Sequence, residues 1–207
     1  MNLPLIYLAS QSPRRQQLLT QIGVSFELLL PRDTHAAEEL ETALPGELPP
    51  AYVKRVTLLK LQAAKAQMQQ DQLTPRPVLC ADTTVALNDN ILGKPLDEED
   101  AIRMLSALSG HTHHVYTAVA VSAGKRQWCS VQRSRVTFDT LSLKYIAAYV
   151  QTGEPMGKAG AYAIQGRAAV FIKRIQGSHS GIMGLPVFET SRLLQRIAKE
   201  QTCNTTS

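Results

Sequence analysis

The segment Leu5–Leu19, LIYLASQSPRRQQLL, limits how this chain can fold more than any other, because an apolar run passes directly into a helix start. Leu5–Ala9 reads as a short buried strand. Ser10 and Ser12 follow, then Pro13, Arg14 and Arg15, then the helical pattern Leu18, Leu19, Ile22. Ser12 suits an N-cap, and proline is tolerated at a first helical position because the N–H it lacks has no partner there anyway. The junction gathers free backbone N–H groups, two hydroxyls and two guanidiniums at one point. Helix N-termini favour anions, and arginine adds bidentate phosphate recognition. This is a candidate phosphate-binding corner. An ordinary strand–helix junction with solvated arginines has the same pattern, and Ser-x-Ser-Pro-Arg-Arg alone does not separate the two.

Gly23 ends this helix and Val24–Leu30 reads as a second strand. Arg32–Pro50 is polar, acidic and punctuated by proline, the composition of a surface loop. Ala51–Gln70 reads as a long helix. Val53, Val56 and Ala63 share one stripe, and Lys60 falls on it. A lysine on an inward stripe either snorkels along its stem or points its ammonium into a polar cleft; snorkelling is the commoner outcome.

Pro77–Leu87, PVLCADTTVAL, reads as a buried strand with Asp82 in its middle. Strands disfavour Asp, and a buried carboxylate is costly unless paired, hydrogen-bonded or metal-bound. Asn88-Asp89-Asn90 turns the chain and Ile91–Pro95 returns, which can bring Lys94 near Asp82 in a register the sequence leaves open. Asp97 and Asp100 form a capping-box-like start to a helix with Ile102, Leu105 and Leu108 inward, closed by Gly110. His111, His113 and His114 lack zinc-site spacing and read as a loop into the strand Val115–Ser122. Ala123-Gly124-Lys125 turns into an antiparallel partner, Gln127–Phe138, and Thr140–Val150 is amphipathic. Gly157–Gly184 holds six of the chain's 12 glycines, which suggests backbone brought close to something. Within it Ala168–Ile175 reads as a strand, and Lys158, Gln165 and Ser178 mark it as a ligand wall. Pro186 opens the last helix, with Leu193, Leu194 and Ile197 inward.

The 207 residues carry 22 Lys+Arg against 17 Asp+Glu, a net charge of +5 that suits an anionic ligand. Aromatics are only 5% and no block of like charges occurs, which argues against a nucleic-acid partner. Cys80, Cys129 and Cys203 are odd in number and widely spaced, the usage of reduced thiols in a cytoplasmic protein. No segment is long and apolar enough to span a membrane, and Met1–Ser12 lacks the basic start of a signal peptide. P-loop, Gly-x-Gly-x-x-Gly and Gly-x-Ser-x-Gly motifs are all missing.

Six pieces, LASQSPRR, CADTTV, LGKP, LSGHTHHVYTAVAV, KAGAYAIQG and IMGLP, run in order from residue 5 to about 190. Together they resemble the Maf-like nucleoside triphosphate pyrophosphatases. The resemblance implies an α/β fold, a two-lobed mixed β-sheet core flanked by helices with a deep central cleft, like that of inosine triphosphatases. One such domain would span residues 1–198, with 199–207 as a polar tail. It implies hydrolysis of a nucleoside triphosphate to monophosphate and pyrophosphate with a divalent metal cation, Mg²⁺ or Mn²⁺, and it admits a homodimer. By the same resemblance Asp82 is the catalytic proton acceptor, and Arg14, Thr83 and Gln165 govern substrate choice. Ser10, Arg14, Arg15, Lys60 and Lys94 bind the phosphates.

A single Gln can complement the edge of uracil or thymine, which shows an N3–H beside carbonyls, whereas guanine's paired donors prefer a carboxylate. The AYAIQG form resembles the branch acting on dTTP and UTP. The alternatives are a pyrophosphatase for another base, such as methylated GTP, or a non-catalytic regulator of septum formation. The family commonly has an acidic run after the second strand, where this chain reads Pro31–Glu39, PRDTHAAEE. Asp33, Glu38 and Glu39 are the candidate metal ligands there, and the spacing does not choose among them. Nor does it decide whether Asp82 is base or ligand.

Overall fold

A computed structural model of the chain describes residues 3–33 and 39–205. Its first strand, β1 (Ile6–Leu8), leads through α1 (Pro13–Gln21) to β2 (Phe26–Leu28), which pairs with β1 in parallel. The long helix α2 (Pro49–Gln70) then carries the chain to β3 (Val78–Leu87), also parallel to β1. Parallel neighbours need such crossovers, and these two helices supply them. Every later pairing is antiparallel: β4 (Asn90–Leu92) on β3, β5 (Thr112–Ala123) on β3, β6 (Arg126–Phe138) on β5, and β7 (Ile172–Gln176) on β6. The sheet order is β2-β1-β3-β5-β6-β7, with β4 off that path. Helix α3 (Glu98–Leu108) joins β4 to β5, α4 (Leu143–Val150) follows β6, and α5 (His179–Met183) and α6 (Val187–Thr205) close the chain. No described helix is long and apolar enough to cross a membrane.

Two lobes arise because the same strands feed separate cores. Strand alternation sends Leu79 and Ala81 of β3 against Leu18, Leu19, Leu194 and Ile197. Its other face sends Val78 and Cys80 against Leu61 and Ala64 of α2. Further along, Val85 packs with Leu105, Leu108, Phe138, Ile146 and Phe171 in a different cluster. Asp82, Thr83 and Thr84 fall where one set of contacts gives way to the other, and the cleft opens there.

Several local expectations change. The second strand shrinks from Val24–Leu30 to Phe26–Leu28, an edge strand that among the described residues pairs with β1 alone. Ser12 occupies the N-cap but makes no side-chain cap bond; its N–H donates to Ser10 Oγ at 3.2 Å instead. The expected strand over Ala168–Ile175 forms only from Ile172. Its first half coils into a 3₁₀ helix, Arg167–Phe171, because the Glu154 carboxylate takes the leading N–H groups that a ladder would otherwise use. Helix α6 continues to Thr205, into the expected polar tail. The Asp97 cap and the turn at Asn88–Asp89 form as read: Asp97 Oδ1 accepts from Asp100 N–H at 2.8 Å, and both turn residues adopt positive φ.

His111 stays in the loop, but the other two histidines do not. β5 begins at Thr112, so His113 and His114 belong to the strand, and His113 is wholly buried. Its Nε2 meets the Tyr162 hydroxyl at 2.8 Å, and Phe138 packs edge-on against its ring. Burial pushes His113 down to about 3, from an ordinary value near 6.5. Between those values the unfolded chain binds a proton that the folded chain refuses, so stability falls as pH falls through that window. The slope approaches about 1.4 kcal/mol per pH unit, or about 2 kcal/mol by pH 5. His113→Gln, neutral throughout yet able to reach Tyr162, should flatten this acid slope in denaturant titrations. An unchanged slope would exclude His113 as its source.

Candidate active site in the cleft between the lobes

The cleft has a volume of ≈ 830 Å³, room for a nucleotide-sized ligand. Among the described residues its lining brings Arg14, Arg15, Arg32, Lys60, Lys94 and Lys158 together with Asp33, Glu41 and Asp82. That excess of cations suits a polyanion.

Its centre is an ion-pair chain. Asp82 sits on the β3 face that α2 covers, and Lys60 comes down from α2 to meet it. Lys60 Nζ donates to Asp82 Oδ1 at 2.6 Å and to Glu41 Oε1 at 2.7 Å. Lys94, just past β4, reaches the other Glu41 oxygen, Oε2, at 2.8 Å. Lys60 therefore does not snorkel outward. Two carboxylates hold its ammonium in the cleft, because pairing there outweighs the pull of water on a stem that is already buried. Burial alone would lower the Lys60 pKa, but Asp82 and Glu41 raise it overall. Burial likewise pushes Glu41 up, yet Lys60 and Lys94 hold it below the usual carboxylate range. The β3–β4 register, Val85 opposite Leu92 and Leu87 opposite Asn90, brings Lys94 into the group through Glu41.

Glu41 was not among the acidic candidates of the sequence. Asp33 lines the cleft, Glu39 lies two residues before Glu41, and Glu38 lies outside the described residues. Glu41 is placed by contacts distant in sequence. The Tyr52 hydroxyl donates to the Glu41 carbonyl at 2.8 Å. Arg55 grips both Glu47 oxygens at 2.7 Å and the Thr42 carbonyl at 2.9 Å. The loop is thus strapped to the helix that bears Lys60. The only sequence signal for it was the acidic run continuing past Glu39.

At the start of α1 the two arginines divide. Arg15 donates through Nε to the Gly184 carbonyl at 2.9 Å and through NH1 to the buried Ser10 hydroxyl at 3.0 Å, which fixes its guanidinium against the cleft floor. Burial lowers its pKa, with Asp82 opposing and Arg14 reinforcing the shift. Arg14 is partly buried, and burial lowers its pKa too. Lys158 is lowered by burial and then by Arg14, a second cation lining the same cleft. Mutual repulsion of cations is relieved by an anion between them.

Thr83, on the opposite face of β3 from Asp82, shares a 2.9 Å hydrogen bond with Thr117, whose hydroxyl donates to the Gly181 carbonyl at 2.7 Å. Gln165 lies exposed on the cleft wall. Ser178 does not join that wall: it caps α5, accepting from Gly181 N–H at 3.0 Å. Of the residues the sequence nominated, Ser10, Arg14, Arg15, Lys60, Asp82, Thr83, Lys94 and Gln165 all line this one cleft.

The chain matches the family model described as Maf-like protein over residues 5–197. It is 58% identical over 190 residues to a protein of Albidiferax ferrireducens named dTTP/UTP pyrophosphatase, covering 92% of this chain and 95% of that protein. It is 58% identical over 194 residues to one of the same name from Burkholderia orbicola, covering 93% and 92%. The solved Staphylococcus aureus Ham1 protein aligns with 95% of this chain and 99% of its own at 14% identity and a TM-score of 0.48, too distant to bear on function. With the model spanning nearly its whole length, and relatives this similar at matching length, the chain belongs to the Maf-like protein family.

Proposed function

We propose that this protein hydrolyses dTTP and UTP to the monophosphate and pyrophosphate in the cleft between its lobes. The observation that carries the reading is the linked group Asp82–Lys60–Glu41–Lys94, which shares one cleft with Arg14 and Arg15. The names of the relatives, dTTP/UTP pyrophosphatase, support the substrate class.

A triphosphate tail needs several cations to hold it, and phosphoryl transfer is driven chiefly by positioning and charge stabilisation. Arg14, Lys158 and Lys94 grip the tail, while Arg15 stiffens the corner against which it lies. Asp82 accepts the proton of the water that attacks the α-phosphorus, at Oδ2, while Lys60 occupies Oδ1 and keeps the carboxylate oriented. The bond from the α-phosphorus to the bridging oxygen breaks, and pyrophosphate leaves with the negative charge that Lys94 and the arginines stabilise.

The donor set also fits a hard divalent cation such as Mg²⁺ or Mn²⁺. Asp82 and Glu41 supply carboxylate oxygens around one ammonium, and Mg²⁺ typically takes one or two carboxylates with the substrate's phosphates. Glu41 would hold the cation, joined by Asp82 if that carboxylate is a ligand instead of the base; when bound, the cation neutralises phosphate charge and polarises the scissile bond. The reaction belongs in the cytoplasm, in keeping with Cys80 and Cys129 as free thiols.

A panel of nucleotides at equal concentration, assayed for pyrophosphate release, tests the reading: dTTP and UTP should lead, and a folded protein that hydrolyses none of them would overturn it. Gln165 is assigned to the pyrimidine edge. Gln165→Glu removes the amide donor and adds charge, so UTP turnover should fall about ten- to a hundredfold more than turnover of guanine nucleotides. Equal losses on both would remove Gln165 from base reading.

A further inference from the structure

Glu154 plays no part in the chemistry above, yet the cleft wall is built around its carboxylate. Oε2 accepts from the Arg167 N–H at 3.0 Å, and Oε1 accepts from the Ala168 N–H at 3.4 Å and from the Tyr149 hydroxyl at 2.9 Å. The two amides open the 3₁₀ helix Arg167–Phe171, where no carbonyl of the helix can reach them. Gly166 presses against the same carboxylate: a Cβ there would lie 2.6 Å from Glu154 Cδ. Glu154 is therefore bonded directly to the chain two and three residues after Gln165. Its own carbonyl takes the Lys158 ammonium. A residue on an exposed corner is aimed by whatever fixes the backbone around it: here the Gly166 N–H bond to the Ala163 carbonyl at 3.0 Å closes the turn, and the Glu154 side chain holds the chain that leaves it.

We propose that Glu154 is a positioning residue that fixes where Gln165 presents its amide, and so sets base preference without touching the nucleotide. The proposal rests on the reading of Gln165 as the base-contacting residue. Glu154→Gln keeps the size of the side chain but replaces one acceptor oxygen by an amide donor that opposes an N–H.

The test measures kcat/KM for UTP and GTP in the parent, Glu154→Gln, Gln165→Ala and the double variant, with hydrogen exchange at the Arg167 and Ala168 amides. The UTP-over-GTP preference should fall about tenfold in Glu154→Gln, with those amides exchanging at least about tenfold faster. In the Gln165→Ala background the Glu154 change should have no further effect on preference. A residue that merely supports the fold would lower both nucleotides alike in both backgrounds, and that result overturns the proposal. If Gln165→Ala abolishes the preference while Glu154→Gln leaves it intact, positioning fails and base reading stands. If Gln165→Ala leaves the preference as in the parent, both readings fail together. Tyr149→Phe removes only the hydroxyl bond and guards against misfolding of the first variant. It should lower the preference about two- to fivefold, and an unchanged preference counts against the proposal.

Discussion

Asp82→Asn is expected to cut kcat for UTP hydrolysis by about 10²–10⁴-fold, the range that a positioned general base supplies. The substitution removes the carboxylate's charge and basicity while keeping its shape. Asn keeps the shape and can still accept from Lys60 at the position of Oδ1, and Lys60 keeps its bond to Glu41, so the site stays assembled. Circular dichroism and melting temperature should therefore remain close to those of the parent. A steady-state comparison of parent and variant at several Mg²⁺ concentrations separates the two roles open to this carboxylate. A base leaves kcat low at every concentration, whereas a metal ligand lets activity climb back as Mg²⁺ rises. Parent-like turnover at all concentrations would remove Asp82 from the mechanism.

Lys60→Met should be the most damaging change to the site as a structure. It leaves Asp82 and Glu41 facing each other, both largely buried, with the cation that joined them gone. Removing one partner of a buried charged group costs on the order of 1–3 kcal/mol, and turnover should drop by about 10²–10³-fold with the loss of a preorganised charge. The stability loss has a pH signature. In the parent, the folded-state pKa of Glu41 is depressed, so its contribution is present above the ordinary carboxylate pKa and lost as pH falls through the folded value. In the variant, burial and mutual repulsion raise a carboxyl instead, a penalty that disappears once it is protonated. Parent and variant should thus differ most near pH 7 and converge towards pH 4 in urea titrations. A gap independent of pH would mean that the loss is one of packing and not of charge.

Much of the fold was legible because its signals are local. The β1–α1 junction, the Asp97 cap with Asp100, the Asn88–Asp89 turn and the β5–β6 hairpin depend on residues within a few positions of one another. What misled was non-local. His113 sits in β5 because its ring finds Tyr162 and Phe138, far along the chain. The Ala168–Phe171 segment has strand composition but coils because Glu154, more than a dozen residues earlier, satisfies its first amides. Lys60 follows the same logic: on its helix alone it reads as a snorkelling lysine, and only the two acids across the cleft reverse that.

Short stretches of chain are enough to say which kinds of groups this protein brings to bear: an aspartate within an apolar strand, arginines at a helix start, a lysine on an inward stripe, and a glutamine in a glycine-rich stretch. Residue type and near-neighbour spacing are enough for that, since both are properties of short stretches of chain. Only folding makes Glu41 join Asp82 through Lys60, sets Arg15 against Gly184 and Ser10 while Arg14 lines the cleft, and brings Glu154 to the amides of Arg167 and Ala168. Those pairings form only when segments tens of residues apart are brought within hydrogen-bonding distance, and a single sequence carries no local signal of who will meet across a cleft.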